Sequence, residues 1–297
     1  YGSVARGLVV YDAEMLDTIG LAVSLSGVYN LLIVDESLAA SLVEKGFEIV
    51  FDLRGRFKEG VEVYEWQFKE VFPLCNKSAI FLFPTVSRSY VFYRCGLIDF
   101  VVANRIVSIN LRVDVDREKR LFSKYLEGLD DYSVLLGYPH TGGLEVPTVQ
   151  FISKFRVRGL LCVFGAVNFS VHSKLGSSKK CFSQEHVVRV EFDPSKIYVA
   201  LVMSDLGLTS MQTFFYEAWE DSSRGEIPLS WWLDPIVVDF CPGIVQYYYE
   251  TKTLNDYFFC ANGYGRITPS DFPGLREHLK VVDEKMKQLD LKVIAFT

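Results

Sequence analysis

Short apolar runs alternate with segments of helical periodicity along the first part of the chain. The runs at residues 7–12, 31–35 and 47–51 predict strands, and residues 13–28 and 37–45 between them predict helices. Strands that alternate with helices pair in parallel through right-handed crossovers. The pattern therefore predicts an α/β fold built on a parallel sheet.

The alternation continues to the end of the chain. Further strands are predicted at or around residues 79–83, 134–138, 160–164, 187–192, 197–205, 227–235, 257 and 291–297. Helices are predicted at residues 61–72, 117–129, 148–156 and 275–288, with a helix followed by a strand in 97–110. The last run is typical of a strand cut at its end, so the chain is interpreted as a piece of a longer protein.

A polar segment, residues 75–78, is interpreted as a domain boundary. Residues 1–75 then form a small open α/β region at the N-terminus. Residues 76–297 carry roughly the number of strands that a β/α barrel needs. Because parallel α/β folds bind ligands at the carboxyl ends of their strands, candidate chemistry is sought there.

The composition favours a large folded core. Of 297 residues, 49% are hydrophobic and 23% are charged. The net charge of −6 argues against nucleic-acid binding, which needs clustered Lys and Arg, and no apolar run is long enough to span a membrane. The Cys and His spacings match no metal motif, and the glycines of 263–265 lack the remaining residues of a phosphate loop. No metal or cofactor is therefore expected.

Carboxylates at the predicted strand ends are the candidate catalytic groups. Asp205 ends the run 197–205, where burial would suit it to acid or base chemistry; capping the following turn is an equal alternative. Glu145 follows a strand and a Gly-Gly hinge, and it is the expected second carboxylate unless it is a solvated loop residue. Asp234, in an Asp-Pro turn, and Glu250, after three tyrosines, are the next candidates.

Aromatic, amide and imidazole groups near the same strand ends predict a ligand rich in hydroxyl groups. Aromatic rings stack on the C–H faces of sugars, while phenol and indole groups donate to their oxygens. Besides Asp234 and Glu250, the candidate binding residues from this pattern are His140, His172, Trp231, Asn255, Asp256 and Tyr264. Since aromatic residues are mostly buried in cores, only roughly two or three of the aromatic residues are expected to contact a ligand.

Six segments also occur in a characteristic order. They are residues 7–12, 168–173, 198–205, 227–231, 255–258 and 263–269. Together they resemble the GxGYxYP family, whose glycoside hydrolase role is itself inferred. The resemblance implies a divergent, TIM-like β/α barrel behind a smaller N-terminal region, and an extracellular or cell-surface location.

The resemblance also adds two binding-site candidates. Gln212 is matched, with Asp205, to the polar strand end of the family, and Arg266 stands in the signature where the family has a tyrosine. The second aspartate of that strand end has no counterpart here, so the paired carboxylate is expected elsewhere.

The leading hypothesis is a glycoside hydrolase that acts on a carbohydrate in a cleft at the strand ends. Asp205 and Glu145 would be the two carboxylates, of which one protonates the glycosidic oxygen and the other attacks or activates water. The alternative is a catalytically inactive carbohydrate-binding relative. A structural partner domain is a third class, and it would expose a large apolar patch.

Overall fold

The strands pair in parallel throughout the part of the chain that the structure describes. The computed structural model describes residues 5–83, 97–139, 142–161, 166, 168–185, 191–204, 207, 210–212 and 214–296. Every strand pairing among these residues is parallel. The predicted α/β class with parallel sheets is therefore confirmed.

Strands and helices follow one another as the alternating pattern predicts. The strands are β1 (Leu8–Val10), β2 (Leu32–Val34), β3 (Ile49–Asp52), β4 (Asn76–Leu82), β5 (Ile106–Ile109), β6 (Val134–Gly137), β7 (Arg158–Leu161), β8 (Val202–Met203), β9 (Leu229–Leu233), β10 (Asp256–Ala261) and β11 (Ile294–Ala295). The helices are α1 (Asp17–Tyr29), α2 (Glu36–Val43), α3 (Gly60–Glu70), α4 (Ile98–Ala103), α5 (Asp116–Glu127), α6 (Glu145–Ser153), α7 (Phe169–His172), α8 (Phe214–Trp219), α9 (Val237–Phe240), α10 (Pro242–Thr251) and α11 (Leu275–Gln288). Short 3₁₀ turns lie at Phe72–Leu74, Gly142–Leu144, Ser210–Gln212 and Pro269–Asp271.

The described strands form three open sheets. Sheet I has the order β2-β1-β3, sheet II the order β5-β4-β6-β7, and sheet III the order β11-β10-β9-β8. Within the described residues no sheet closes on itself. Each sheet gathers the carboxyl ends of its strands at one edge, because all its strands run the same way.

The chain divides into two compact units. Unit 1 comprises Tyr1–Ser170 and Ile267–Pro273, and unit 2 comprises Val171–Arg266 and Gly274–Thr297. The main core cluster of unit 1 contains residues from both sides of position 75, such as Leu21 and Val107, which are fully buried. The boundary after residue 75 stays a prediction.

Helix periodicity and capping explain several elements directly. Helix α5 buries Leu121, Phe122, Tyr125 and Leu126 along one face, as its amphipathic pattern predicts. Helix α2 begins where the Asp35 side chain accepts a hydrogen bond from the Leu38 N–H at 2.8 Å, an N-cap. Helix α11 has the predicted bounds, and residues 97–110 contain the predicted helix and strand, α4 and β5.

The prediction that Glu250, after its three tyrosines, lies at a strand end is wrong, because residues 246–250 lie inside helix α10. Pro242 stands in the first turn of that helix, where its missing N–H costs nothing. Val245, Tyr248 and Tyr249 are buried at helical spacing, so the aromatic run follows a period near 3.6 rather than the period of two that a strand requires.

The apolar run before Asp205 forms a shorter strand than predicted. Only Val202 and Met203 are assigned to β8, while Ile197 is 93% exposed and Val199 is 79% exposed. The parallel register places Val202 beside Ser230, which puts Ala200 level with Pro228. Proline has no N–H to donate, so the ladder ends near that position and the residues before it are left outside the sheet.

Helix α6 begins earlier than expected, and helix α7 stands where the polar end of a strand was expected. Residues 148–156 were predicted as a helix, and α6 begins three residues sooner, at Glu145. Residues 168–172 were expected to be the polar end of a strand, and they form the short helix α7 instead, after Asn168 in the left-handed region (φ 58°). An asparagine tolerates that conformation and starts the turn.

Candidate functional site

The carboxyl edge of sheet III brings together the ends of three neighbouring strands. In the register, Met203 of β8 lies beside Trp231 of β9, and Leu233 of β9 lies beside Cys260 of β10. The residues that follow β8, β9 and β10 therefore leave the sheet at the same edge. Ligands of parallel α/β folds bind at such edges, so this is the candidate site of unit 2.

Asp234 is the described carboxylate that lies directly at this edge. It follows the last residue of β9 and is half-buried. Its Oδ1 accepts hydrogen bonds from the backbone N–H of Ile236 at 3.1 Å and of Gly265 at 3.2 Å. Its Asp-Pro turn, predicted as an ordinary turn, therefore also ties the end of β9 to the loop after β10.

The loop after β10, residues 262–265, is called the glycine loop. Asn262, Gly263 and Gly265 have φ angles of 53°, 79° and 81°, in the left-handed region that glycine adopts without strain. A Cβ on Gly263 would lie only 3.1 Å from Val282 Cγ2 of helix α11. Glycine is therefore favoured at Gly263 both by its backbone conformation and by the close approach of the helix.

Tyr264, between the two glycines, is held by charged residues. Its hydroxyl donates to Asp239 of helix α9, and Lys285 of helix α11 forms an ion pair with the other oxygen of Asp239 at 2.5 Å. The Lys285 ammonium also lies 5.5 Å from the centre of the Tyr264 ring. The ring is half-buried, so Tyr264 can offer part of its surface to a ligand while its hydroxyl is occupied.

Cys260 forms the buried floor next to this loop. Burial raises the pKa of its thiol to about 12, and the charge of Asp234 adds to the rise. The thiol contacts the Gly263 carbonyl at 3.6 Å. It therefore stays protonated near neutral pH and is not a nucleophile of this site.

Three of the predicted site residues cannot be placed with their side chains. Asp205 and His140 lie outside the described residues. Gln212 ends the 3₁₀ turn Ser210–Gln212, where the structure describes its backbone alone. Ser204, the residue after β8, is the last described residue before Asp205.

Glu145 lies in unit 1, near the carboxyl edge of sheet II. Strand β6 ends at Gly137, and the next residue, Tyr138, donates its hydroxyl to Glu145 Oε2 at 2.5 Å. Glu145 is the first residue of helix α6, where the helix dipole favours a carboxylate. Glu145 is thus a half-buried, hydrogen-bonded group rather than the solvated loop residue of the alternative prediction.

Glu250 lies on the exposed surface of helix α10, away from any strand end. Its Oε1 accepts a hydrogen bond from Gln246 at 2.9 Å and forms an ion pair with Lys179 at 3.1 Å. The Gln246 hydrogen bond and then Lys179 lower the pKa of Glu250. These contacts belong to the surface of unit 2 and not to the carboxyl edge of sheet III.

Trp231 and Asp256, predicted to bind ligand, form a buried cluster instead. Trp231 is 1% exposed, and its indole N–H donates to Asp256 Oδ1 at 2.8 Å. Asp256 is the first residue of β10, so it lies at the amino end of the sheet rather than at its carboxyl edge. It also pairs with Arg224 and accepts from the Thr253 N–H at 2.7 Å.

Asn255, His172 and Arg266 are the remaining predicted binding residues. Asn255 precedes β10 at the same amino end, and its amide donates to the Gly225 carbonyl at 2.6 Å. His172 ends the short helix α7 and is half-buried. Arg266 is also half-buried. It directly follows the glycine loop, so it is the one of these three residues that comes soon after a strand end at the carboxyl edge of sheet III.

Sequence reasoning missed three residues that the structure brings into clusters. Asp239 and Lys285 hold the glycine loop, and Arg224 neutralises the buried Asp256. Their partners lie 25 to 46 positions away in the sequence, beyond the reach of any local spacing rule, so no periodicity links the pairs. The hydrophobic pattern alone gave no signal for these pairs.

Among the described residues, no three His, Cys, Asp or Glu side chains are grouped as a metal ion would need. None of the described helices is both long enough and apolar enough to cross a membrane.

Comparisons with known proteins match two parts of the chain. Residues 195–297 match the family model described as "GxGYxYP putative glycoside hydrolase C-terminal domain". Residues 5–75 match the model described as "GxGYxYP_N second domain". No curated protein matches the chain.

The fold is similar to a crystal structure described as a putative hydrolase from Bacteroides thetaiotaomicron. The two superpose with a TM-score of 0.82 at 20% sequence identity, and the match covers 98% of this chain. It covers 55% of the other chain, so this chain spans about half the length of that protein. At this identity the likeness establishes a shared fold.

Proposed function

Because the chain belongs to the GxGYxYP family, we propose that it cleaves a glycosidic bond at the carboxyl edge of sheet III. The observation that carries this proposal is the position of Asp234. It is a half-buried carboxylate directly after β9, and Asp205 follows the neighbouring strand β8 by two residues. Two carboxylates after adjacent parallel strands are suited to the two-carboxylate chemistry of glycoside hydrolases.

In this proposal Asp205 and Asp234 share the chemistry. One protonates the glycosidic oxygen as the bond breaks, and the other attacks the anomeric carbon or activates water. The backbone N–H groups of Ile236 and Gly265 stabilise an ionised Asp234, which fits the nucleophile or base better than the acid. Asp205 would then donate the proton.

Glu145 remains the alternative second carboxylate. It is oriented by Tyr138 next to the end of β6, which supports a role at a strand end. A substitution at each carboxylate separates the two assignments. Tyr264, Arg266 and Gln212 are proposed to contact the sugar, and His140 and His172 remain further candidates.

The proposed fold of the catalytic part is a divergent β/α barrel. Sheets II and III each consist of four parallel strands, the pairing that a β/α barrel uses. Within each sheet the neighbours follow chain order, except that β4 and β5 are exchanged. Residues 1–75 are proposed to be a separate domain, a boundary that coincides with the end of the second matched model.

The test is hydrolysis and binding over a panel of oligosaccharides. The wild type, Asp205→Asn, Asp234→Asn and Glu145→Gln are compared, with Asp283→Asn as the control, since Asp283 forms an exposed ion pair on helix α11. Loss of roughly a hundredfold or more in kcat for Asp205→Asn and Asp234→Asn, with binding kept, is expected. The same loss in Glu145→Gln but not in Asp234→Asn would move the second carboxylate to Glu145.

A second candidate function is sugar binding without catalysis. The absence of a counterpart to the family's second aspartate near Asp205 favours it. Binding without hydrolysis in the wild type and all variants would establish it. If the wild type neither binds nor hydrolyses any panel member, that result contradicts both functions for this chain.

A further inference from the structure

We propose that Asp239 and Lys285 are positioning residues that hold the glycine loop and, through it, Asp234. The inference deepens the proposed function and rests on it, because fixing Asp234 matters for turnover only if Asp234 takes part in the chemistry. The contacts themselves can be tested without any substrate.

The glycine loop needs external contacts to stay in one conformation. Three of its residues, Asn262, Gly263 and Gly265, have φ angles between 53° and 81°. Glycines lose much conformational freedom on folding, and an asparagine in the left-handed region is held at some cost. Such a loop keeps a single shape only where its surroundings fix it.

One face of helix α11 supplies part of that support. His278, Val282 and Lys285 are spaced by four and three residues, so they lie on the same side of the helix. A Cβ on Gly263 would meet Val282 Cγ2 at 3.1 Å and His278 Nε2 at 3.6 Å. The loop backbone therefore rests directly on this face, one turn before Lys285.

Asp239 of helix α9 supplies a second support through its contacts with Tyr264 and Lys285. Its two oxygens are used separately, one by the Tyr264 hydroxyl and the other by the Lys285 ammonium at 2.5 Å. The Lys285 side chain is 20% exposed and the Asp239 side chain 39%, so water and salt reach this pair mainly from the Asp239 side. The carboxylate thus links helix α9, helix α11 and the loop.

The same loop holds Asp234 through the residue after Tyr264. The Gly265 N–H donates to Asp234 Oδ1 at 3.2 Å. Gly265 directly follows Tyr264, so a loop backbone that is no longer held through the Tyr264 side chain can shift this N–H away from Asp234. The chain of contacts runs from Lys285 through Asp239 and Tyr264 to the carboxylate at the end of β9.

Amide hydrogen exchange at Gly265, measured by NMR on the whole chain, tests the proposal. The variants are Asp239→Asn and Tyr264→Phe, and the control is Asp283→Asn, which removes an exposed ion pair on the same helix. Tyr264→Phe removes the hydroxyl donor, and Asp239→Asn removes the charge that strengthens this hydrogen bond and pairs with Lys285. Exchange at Gly265 is expected to accelerate roughly threefold to tenfold in both variants, the effect of weakening or losing about one hydrogen bond to a charged group. Exchange in β10 and in the control is expected to stay unchanged.

Unchanged exchange at Gly265 in Asp239→Asn overturns the proposal. So does an equal acceleration in β10 or in the control, because that result reports a general loss of stability. On a glycoside that the wild type cleaves, Asp239→Asn should lower kcat roughly tenfold to a hundredfold with KM within about twofold. A wild type that cleaves nothing contradicts the proposed function, whereas the exchange result still decides the positioning role.

Discussion

The indole N–H of Trp231 donates to Asp256 Oδ1 at 2.8 Å in the core of unit 2. The other oxygen of Asp256 is occupied by Thr253 and by the guanidinium of Arg224, which also lies 4.1 Å from the Trp219 ring. The Asp256 side chain is 1% exposed. A buried charge of this kind is tolerated because each of its oxygens has partners.

Asp256→Asn is expected to destabilise the protein by roughly 3 kcal/mol, because it leaves the largely buried Arg224 charge without its counter-ion. Urea denaturation measures the change in the free energy of unfolding. The control is Asp283→Asn, whose pair with Lys287 is exposed and should contribute little to stability. Equal losses of unfolding free energy in the two variants would show that the buried pair stabilises the protein no more than the exposed pair.

Glu118→Gln is expected to stabilise the protein near neutral pH. Burial is the main cause that raises the pKa of Glu118, and the charges of Asp17 and Asp114 add to it. A raised pKa means that ionisation disfavours the folded state, so stability is lost as the pH rises from the unfolded pKa, about 4.3, through the higher folded pKa. Glutamine keeps an acceptor for the Arg112 N–H, now bound at 2.9 Å, without the charge.

Unfolding free energies of Glu118→Gln and the wild type should converge at about pH 3, below the unfolded pKa. Glu62→Gln is the matched variant of opposite sign. The Lys58 N–H is the main cause that lowers the pKa of Glu62, so its ionised form favours folding and its stabilisation is present above the unfolded pKa. A gain of stability at pH 7 in both variants would contradict the argument.

Gly263→Ala is expected to cost more stability than Gly46→Ala. Both glycines have positive φ angles, 79° and 90°, so both substitutions carry a conformational cost of about 1 kcal/mol or more. A Cβ at Gly46 meets nothing within 4 Å, whereas one at Gly263 meets Val282 at 3.1 Å. Thermal unfolding of the two variants separates the packing cost from the conformational cost, and equal losses would show that helix α11 moves aside freely.

Native alkylation with iodoacetamide at pH 8 should distinguish the four described cysteines. Cys181 is exposed, while Cys75, Cys241 and Cys260 are buried. Burial raises the pKa of Cys75 to about 11 and that of Cys260 to about 12, so their thiolate fractions at pH 8 are on the order of one in a thousand or less. Peptide mass spectrometry should find Cys181 labelled first. Labelling of Cys260 at a similar rate would contradict the prediction, because it would show that the buried thiol becomes accessible to solvent.

Local signals in the sequence predicted the alternation of strands and helices well. Helix α11 has the predicted bounds because its amphipathic pattern is uninterrupted and ends where Leu289 begins a turn. The run 246–250 was misread since three adjacent tyrosines fit a strand or a helix equally, and Pro242 was the decisive local signal. Short apolar runs cannot be assigned by periodicity alone.

The candidate site was only partly predictable because it depends on register and on distant pairs. The sequence placed Asp234 and Tyr264 near strand ends, where they do lie. It could not distinguish the amino end of β10, at Asp256, from the carboxyl ends of the same sheet. Pairs such as Asp239 with Lys285 are 46 positions apart, beyond the reach of any local rule.

Unit 1 includes the segment Ile267–Pro273, which follows most of unit 2 in the sequence. The Thr268 N–H donates to Ser153 Oγ at 2.9 Å, and the Phe272 ring lies 6.1 Å from that of Tyr132. On the ribosome this piece emerges after the roughly 100 residues between 171 and 266, a delay of about 5–20 s at ordinary synthesis rates. The first unit therefore stays incomplete during synthesis until most of the second unit has been made.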